Sequence, residues 1–199
     1  MRHIETKLIF KNNKLRWLKP TFTELSKVVS DYVIWECEPP YWNNETASTS
    51  LLVAAASRAG CIALSDYRRA KWDKSIDIRG RCDLLIGKGS HYLEIEVKQI
   101  YAGPNSKATG RLSSYLDIAV KDAKRLWWGA KNKRAGLLFA VLSMEKSQTK
   151  AFEFSNFECE LCKVTADVVW YWFDSSFDQK FRSNKNKQFY PGFALLLKV

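Results

Sequence analysis

Residues 81–99 read RCDLLIGKGSHYLEIEVKQ. Two runs rich in alternating apolar residues flank Gly87-Lys88-Gly89-Ser90, which has the chemistry of a tight hairpin turn, so two antiparallel strands are expected. Either Lys88-Gly89 or Gly89-Ser90 serves as the loop. The second puts Gly first, sets Lys88 opposite His91 and Asp83 opposite Glu96; the first sets Asp83 opposite Glu94 and diagonal to Glu96. Both registers place Asp83, Glu96 and Lys98 on one face. The other face then carries Leu84, Ile86, Leu93, Ile95 and Val97, a set fit for a core. Glu94 shares the charged face, and Gln99, on the apolar one, is expected to do no more than end the strand.

Outward from the hairpin, CIALSDYRRAKW (61–72) is expected to be a further strand. Before it, Asn43 or Asn44 caps a helix over the Ala-rich run ETASTSLLVAAASR, with Glu45 in its first turn and Gly60 after its end. After the hairpin, Leu112, Tyr115, Leu116, Ala119, Ala123, Leu126 and Trp127 form one stripe of a long amphipathic helix. AGLLFAVLSM (135–144) reads as a strand buried on both faces. DVVWYWFD and GFALLLKV read as two more strands. Near the N-terminus, KLIFKNNKLRWL is expected to be a small hairpin about Asn12-Asn13, followed by a short helix in TFTELSKVVSDYVIW and a break at Pro39-Pro40. The fold class is therefore α/β. A chain of 199 residues suits a single domain over 1–199, with an extension over 1–40, a core over 41–145 and added strands over 146–199.

The chain holds 32 Lys and Arg against 21 Asp and Glu, a net charge of +11. Such an excess attracts polyanions, of which nucleic acid is the commonest in a cell. No apolar run approaches the ~18 residues of a membrane helix and no secretory signal is legible, so a cytoplasmic protein without a membrane partner is expected. Cys37, Cys61 and Cys82 stand alone among apolar neighbours and suit reduced, buried thiols. Cys159 and Cys162 have the spacing of half a zinc site, but a second pair of ligands is missing.

Charges on a strand face have a plain structural explanation, cross-strand ion pairs worth about 0.2–1 kcal/mol each. The hairpin, however, lies mid-chain between two helices, and a covered sheet face carries charge only for a reason. A divalent cation is one such reason. Magnesium takes oxygen ligands and is commonly held by one or two carboxylates together with substrate phosphate. Asp83 and Glu96 supply such oxygens, Val97 a backbone carbonyl, and Lys98 a cation able to orient water and offset charge on a phosphate.

At these residues the sequence resembles the PD-(D/E)xK nuclease superfamily, the restriction-endonuclease-like fold. The matching signature is Asp83 in GRCDLLIG, then Glu96-Val97-Lys98 thirteen positions on, with Glu45 on the preceding helix. The proline that names the motif is absent, Cys82 standing before Asp83. The resemblance covers roughly residues 41 to 145. It implies an α-β-β-β-α-β core with a central mixed sheet flanked by helices, to which the chain adds N-terminal and C-terminal elements. It further implies an endonuclease that hydrolyses DNA with Mg²⁺ or Mn²⁺. By that likeness Asp83 and Glu96 hold the metal, Lys98 is catalytic and Glu45 is an auxiliary acid. Many members act as dimers, so a homodimer is among the partners implied.

Substrate contacts are expected from three basic groups. Arg68, Arg69 and Lys71 form the first, with Lys74; Lys121, Lys124, Arg125, Lys131, Lys133 and Arg134 the second; Lys185 and Lys187 the third, with Lys180 and Arg182. Trp127, Trp128, Trp170 and Trp172 are candidates for base stacking, with at least half of the VVWYWF run expected in the core. Two other readings stand beside the nuclease: a nuclease-fold protein that binds nucleic acid or assembles without cutting, and a basic protein whose hairpin charges are surface pairs for an acidic partner.

Overall fold

The computed structural model describes residues 4–36, 38–73, 76–103, 108–126, 133–149, 152–176, 181–183 and 187–199, without the side chains of 70, 72, 73 and 76–79. β3 (Ile76–Lys88) and β4 (His91–Ala102) form the expected hairpin. Lys88 pairs with His91 and Gly89 has φ +59°, so Gly89-Ser90 is the loop. That conformation is one that glycine adopts without cost. Leu84 then pairs with Ile95 and Leu85 with Glu94; one step further in this register, Asp83 stands opposite Glu96. Strand β4 does not end at Gln99 but runs on to Ala102.

β2 (Ile62–Asp73) pairs antiparallel with β3. Beyond β4 the chain crosses over through α3 (Ala108–Lys124) into β5 (Lys133–Met144), which lies parallel to β4. β6 (Val168–Asp174), β7 (Phe189–Lys198) and β1 (Ile4–Phe10) complete a seven-stranded mixed sheet in the order β1-β6-β7-β5-β4-β3-β2. The β4/β5 pair is its parallel one. The molecule is thus a mixed α/β fold with a central mixed sheet flanked by helices.

Alternation along β5 shows why it is apolar throughout. Leu137, Phe139 and Val141 enter one core and Leu138, Ala140 and Leu142 the other. The first core also takes Leu84, Ile86, Leu93, Ile95 and Val97, and is covered by α1 (Lys19–Glu36) and α2 (Glu45–Arg58). The second lies under α3 and α5 (Phe154–Lys163). α2 begins where Asn44 Oδ1 accepts from the Ala47 amide at 2.9 Å. α3 lies on β5 by direct backbone approach: a Cβ on Gly136 would stand 2.3 Å from the Val120 nitrogen.

Three further expectations change. Only the first half of KLIFKNNKLRWL is a strand; Asn13–Leu18 forms a 3-10 helix, with Leu15 and Leu18 buried three residues apart and Asn12 Oδ1 capping Lys14. β1 accordingly finds its partner far along the chain, in β6. The helix that follows is not short: α1 runs over 18 residues, because Phe22, Leu25, Val28, Val29 and Val33 keep helical spacing into the core. Trp170 and Trp172 are each 1% exposed, so neither is free to stack on a base, while Trp127 and Trp128 lie outside the described residues. Cys61 and Cys82 are buried free thiols and Cys37 lies outside the description. No described helix is long and apolar enough to cross a membrane.

Candidate active site

The β2/β3 pairing passes from Ser65–Leu84 to Tyr67–Cys82 and skips Asp66 and Asp83. Asp66 has φ +51°, uncommon outside glycine, and is paired with Arg81. The β3–β4 ladder likewise stops at Leu84–Ile95, and beyond it the Asp83 side chain replaces the backbone: its Oδ2 accepts from the Val97 amide at 2.7 Å. Asp83 is thereby fixed at the point where the β3–β4 ladder ends and the β2–β3 ladder skips one pair.

The other expected residues gather around it. Glu45, in the first turn of α2, has its carboxyl pushed up by burial and by the Asp83 charge, against the pull of Lys98 and the Gln99 amide. Burial likewise raises the Glu96 carboxyl to about 7, with Asp83 adding and Lys71 and Lys98 opposing. For Lys98, burial works against the charge, yet Asp122, Glu45 and Asp83 outweigh it and the ammonium is held above its ordinary value. Asp83 and Lys98 thus act on both Glu45 and Glu96 and link the four residues electrostatically. A small depression of about 90 Å³ beside it is lined by Glu45, Thr46, Thr49, Ser65, Asp66 and Asp83.

Hydrogen bonds show how the cluster is held. Glu96 is 2% exposed; its Oε2 accepts from Lys71 Nζ at 2.9 Å, and its Oε1 is buried with no hydrogen-bond partner. Lys98 Nζ donates to the Val97 carbonyl at 3.1 Å and lies 3.2 Å from Asp122 Oδ2 on α3. Glu94 faces a different set: Arg69 Nε at 2.9 Å and the Tyr67 hydroxyl at 2.9 Å. That pair borders a separate cleft of about 470 Å³, lined also by Leu85, Gly87, His91 and Tyr92. Gln99 ties the strand to the helical layer, donating to the Tyr41 carbonyl and accepting from Ser48.

Asp122 and Asp66 are missing from the sequence-based set. Asp122 sits on the polar side of an amphipathic helix, where an acid is ordinary, and only the crossover of α3 brings it to Lys98. Lys71 was expected to contact substrate and is here the counter-ion of Glu96; Arg69 is likewise engaged with Glu94. Arg68, Lys121, Lys124, Arg125, Lys133 and Lys187 are exposed. Arg134 donates to the Lys124 carbonyl at 3.0 Å, while Lys74, Lys131, Lys180 and Lys185 lie outside the described residues. An isolated antiparallel bridge between Lys71 and Leu126 brings the basic end of α3 beside the Glu96 counter-ion.

The donor chemistry fits a hard cation: carboxylates of Asp83, Glu96 and Glu45, a backbone carbonyl at Val97, and in Glu96 Oε1 a buried oxygen that lacks a partner. Among the described residues, however, no three His, Cys, Asp or Glu side chains converge as a ready metal cluster. Cys159 and Cys162 are exposed on α5.

No family model, curated protein or solved structure matches the chain. Its function is therefore argued from the cluster itself.

Proposed function

We propose that this chain is a metal-dependent endonuclease of the PD-(D/E)xK type, hydrolysing phosphodiester bonds in DNA. The observation that supports this reading is that Asp83 and Lys98 act electrostatically on both Glu45 and Glu96 at the place where the β3–β4 ladder ends, within the chain order α2-β2-β3-β4-α3-β5. That order agrees with the α-β-β-β-α-β core implied by the motif. Asp83 and Glu96, with the Val97 carbonyl, would hold Mg²⁺ or Mn²⁺, which supplies charge neutralisation at the phosphate and a water of lowered pKa. Lys98 orients the attacking water and offsets charge growing on the phosphate oxygens. Asp122 keeps Lys98 protonated and aimed along β4. Glu45, whose carboxyl is raised by burial, would be an auxiliary acid at the metal or its water shell. The exposed Lys121, Lys124 and Arg125 contact backbone phosphates without reading sequence.

The engagement of Glu96 by Lys71 and of Lys98 by Asp122 favours one rival, a nuclease-fold protein that binds DNA without cutting it. Supercoiled plasmid incubated with the protein and Mg²⁺, Mn²⁺ or chelator separates the two. Metal-dependent nicking that falls by at least about a hundredfold in Asp83→Ala and in Lys98→Ala is expected, the scale of losing a group that acts on the reacting atoms. Salt-sensitive binding with no cleavage by the wild type would leave only the rival.

A further inference from the structure

The Lys71 side chain leaves β2, crosses β3 and ends on β4, with Nζ 2.9 Å from Glu96 Oε2. The crossing depends on Gly80. A Cβ at that position would stand 2.8 Å from Lys71 Cγ and 2.9 Å from its Cδ, so the missing side chain makes the groove in which the lysine stem lies. The Lys71 backbone is fixed as well, by its bridge to Leu126 at the basic end of α3. An ammonium is thus built onto one oxygen of a carboxylate that is 2% exposed, while the other oxygen is buried and has no hydrogen-bond partner.

We infer that Lys71 is a resident counter-ion of the candidate site, displaced from Glu96 when a divalent metal binds and then taken up by nucleic-acid phosphate, so that metal and substrate bind cooperatively. This rests on the reading of Asp83 and Glu96 as metal ligands. A carboxylate so deeply buried is costly without a compensating charge, and Lys71 supplies that charge in the metal-free protein. A divalent cation on Glu96 Oε1 and an ammonium on Oε2 repel each other, so the metal weakens the hold of Glu96 on Lys71. The Lys71 side chain is 23% exposed, and its flexible stem lets the displaced ammonium turn outward, where a phosphate is the compensating anion. Phosphate thereby lowers the cost of displacing Lys71 and the metal frees Lys71 for phosphate; linkage makes the two effects equal.

Isothermal titration calorimetry of Mn²⁺ into the whole chain tests this, first without nucleic acid and then with a phosphorothioate DNA duplex, which keeps the backbone charge. Without nucleic acid, Lys71→Met is expected to bind Mn²⁺ about tenfold more tightly than wild type, while Lys71→Arg, which keeps the charge, stays within about twofold. The duplex should tighten Mn²⁺ binding to wild type severalfold and to Lys71→Met distinctly less, because phosphate ligation of the metal remains in the variant while the part that runs through Lys71 is gone. Gly80→Val, which fills the groove without removing a charge, should behave like Lys71→Met, and circular dichroism checks that each variant is folded. Unchanged Mn²⁺ affinity in Lys71→Met, or a duplex effect as large in it as in wild type, overturns the counter-ion inference and leaves the metal site standing. If the wild type shows no Mn²⁺ binding that Asp83→Asn removes, the metal reading falls and this inference falls with it.

Discussion

Glu94 and Glu96 are two residues apart, share a face and are each 2% exposed, yet their surroundings divide them. Asp83 acts on the Glu96 carboxyl, whereas Glu94 is engaged by Arg69 and Tyr67 toward a different cleft. The difference has a consequence for stability. Glu96 is raised from 4.5 to about 7 in the folded protein, so the fold binds its proton more tightly than the unfolded chain does. For a carboxyl raised in this way the contribution is full below the unfolded value and is lost as pH climbs through the folded one. Metal-free wild type is therefore expected to lose stability between about pH 5 and pH 8 by an amount that Glu96→Gln does not lose. Urea midpoints measured in chelator across that range check it: parallel pH profiles for the two proteins would contradict the assignment. The sequence made Asp83, Glu96 and Lys98 visible because hairpin parity puts them on one face. It left Glu94 undecided, since parity treats both glutamates alike and only the long reach of Arg69 and Lys71 from β2 tells them apart.

Among the elements, α3 decides whether Lys98 has a partner. Its backbone lies against β5 at Gly136, which pairs with Glu96 in the next strand, and two residues beyond Val120 comes Asp122. A side chain at Gly136 would push the helix off the sheet. Gly136→Val is expected to cost about 1–3 kcal/mol or more, the scale of overpacking a close contact. Gly110→Ala, in the same helix with nothing within 4 Å of the added carbon, should instead be neutral or stabilise slightly. Equilibrium denaturation of both variants tests the contrast, and equal effects would mean that the Gly136 contact does not hold the helix. Elements whose signal is local were legible: α2 from its cap, β3 and β4 from their turn, α3 from its stripe, β5 from its unbroken apolar run. The second half of KLIFKNNKLRWL was not. Its alternation suits a strand, but Leu15 and Leu18, three residues apart, are buried against the core from a tight helical turn. The order of β6, β7 and β1 in the sheet was hidden for a related reason, because pairing between distant segments leaves no mark in either segment alone.

At the scale of the whole molecule, the net charge of +11 supports the proposal of a polyanionic partner, yet the charges are not equivalent. Arg69 and Lys71 are committed to buried glutamates, whereas Lys121 and Lys124 project from the last turn of α3 beside Lys98 and Asp122. Trp170 and Trp172 are both shut inside the core under α1 and α2, so neither contributes base stacking. Affinity for duplex DNA should then come chiefly from phosphate contacts and follow counterion release, with log K falling linearly against log salt at a slope of about −0.9 per phosphate neutralised. Replacing Lys121 and Lys124 together by Gln is expected to make that slope shallower by about two, with equal loss of affinity for unrelated sequences. Lys27→Gln, on α1 and paired with Glu24, should leave it unchanged. Fluorescence anisotropy of a labelled duplex over a salt series in chelator measures all three proteins without any cleavage. An unaltered slope in the double variant would move the DNA surface away from α3. A slope near zero in the wild type would remove phosphate as the main source of affinity and return the excess of lysine and arginine to an acidic protein partner.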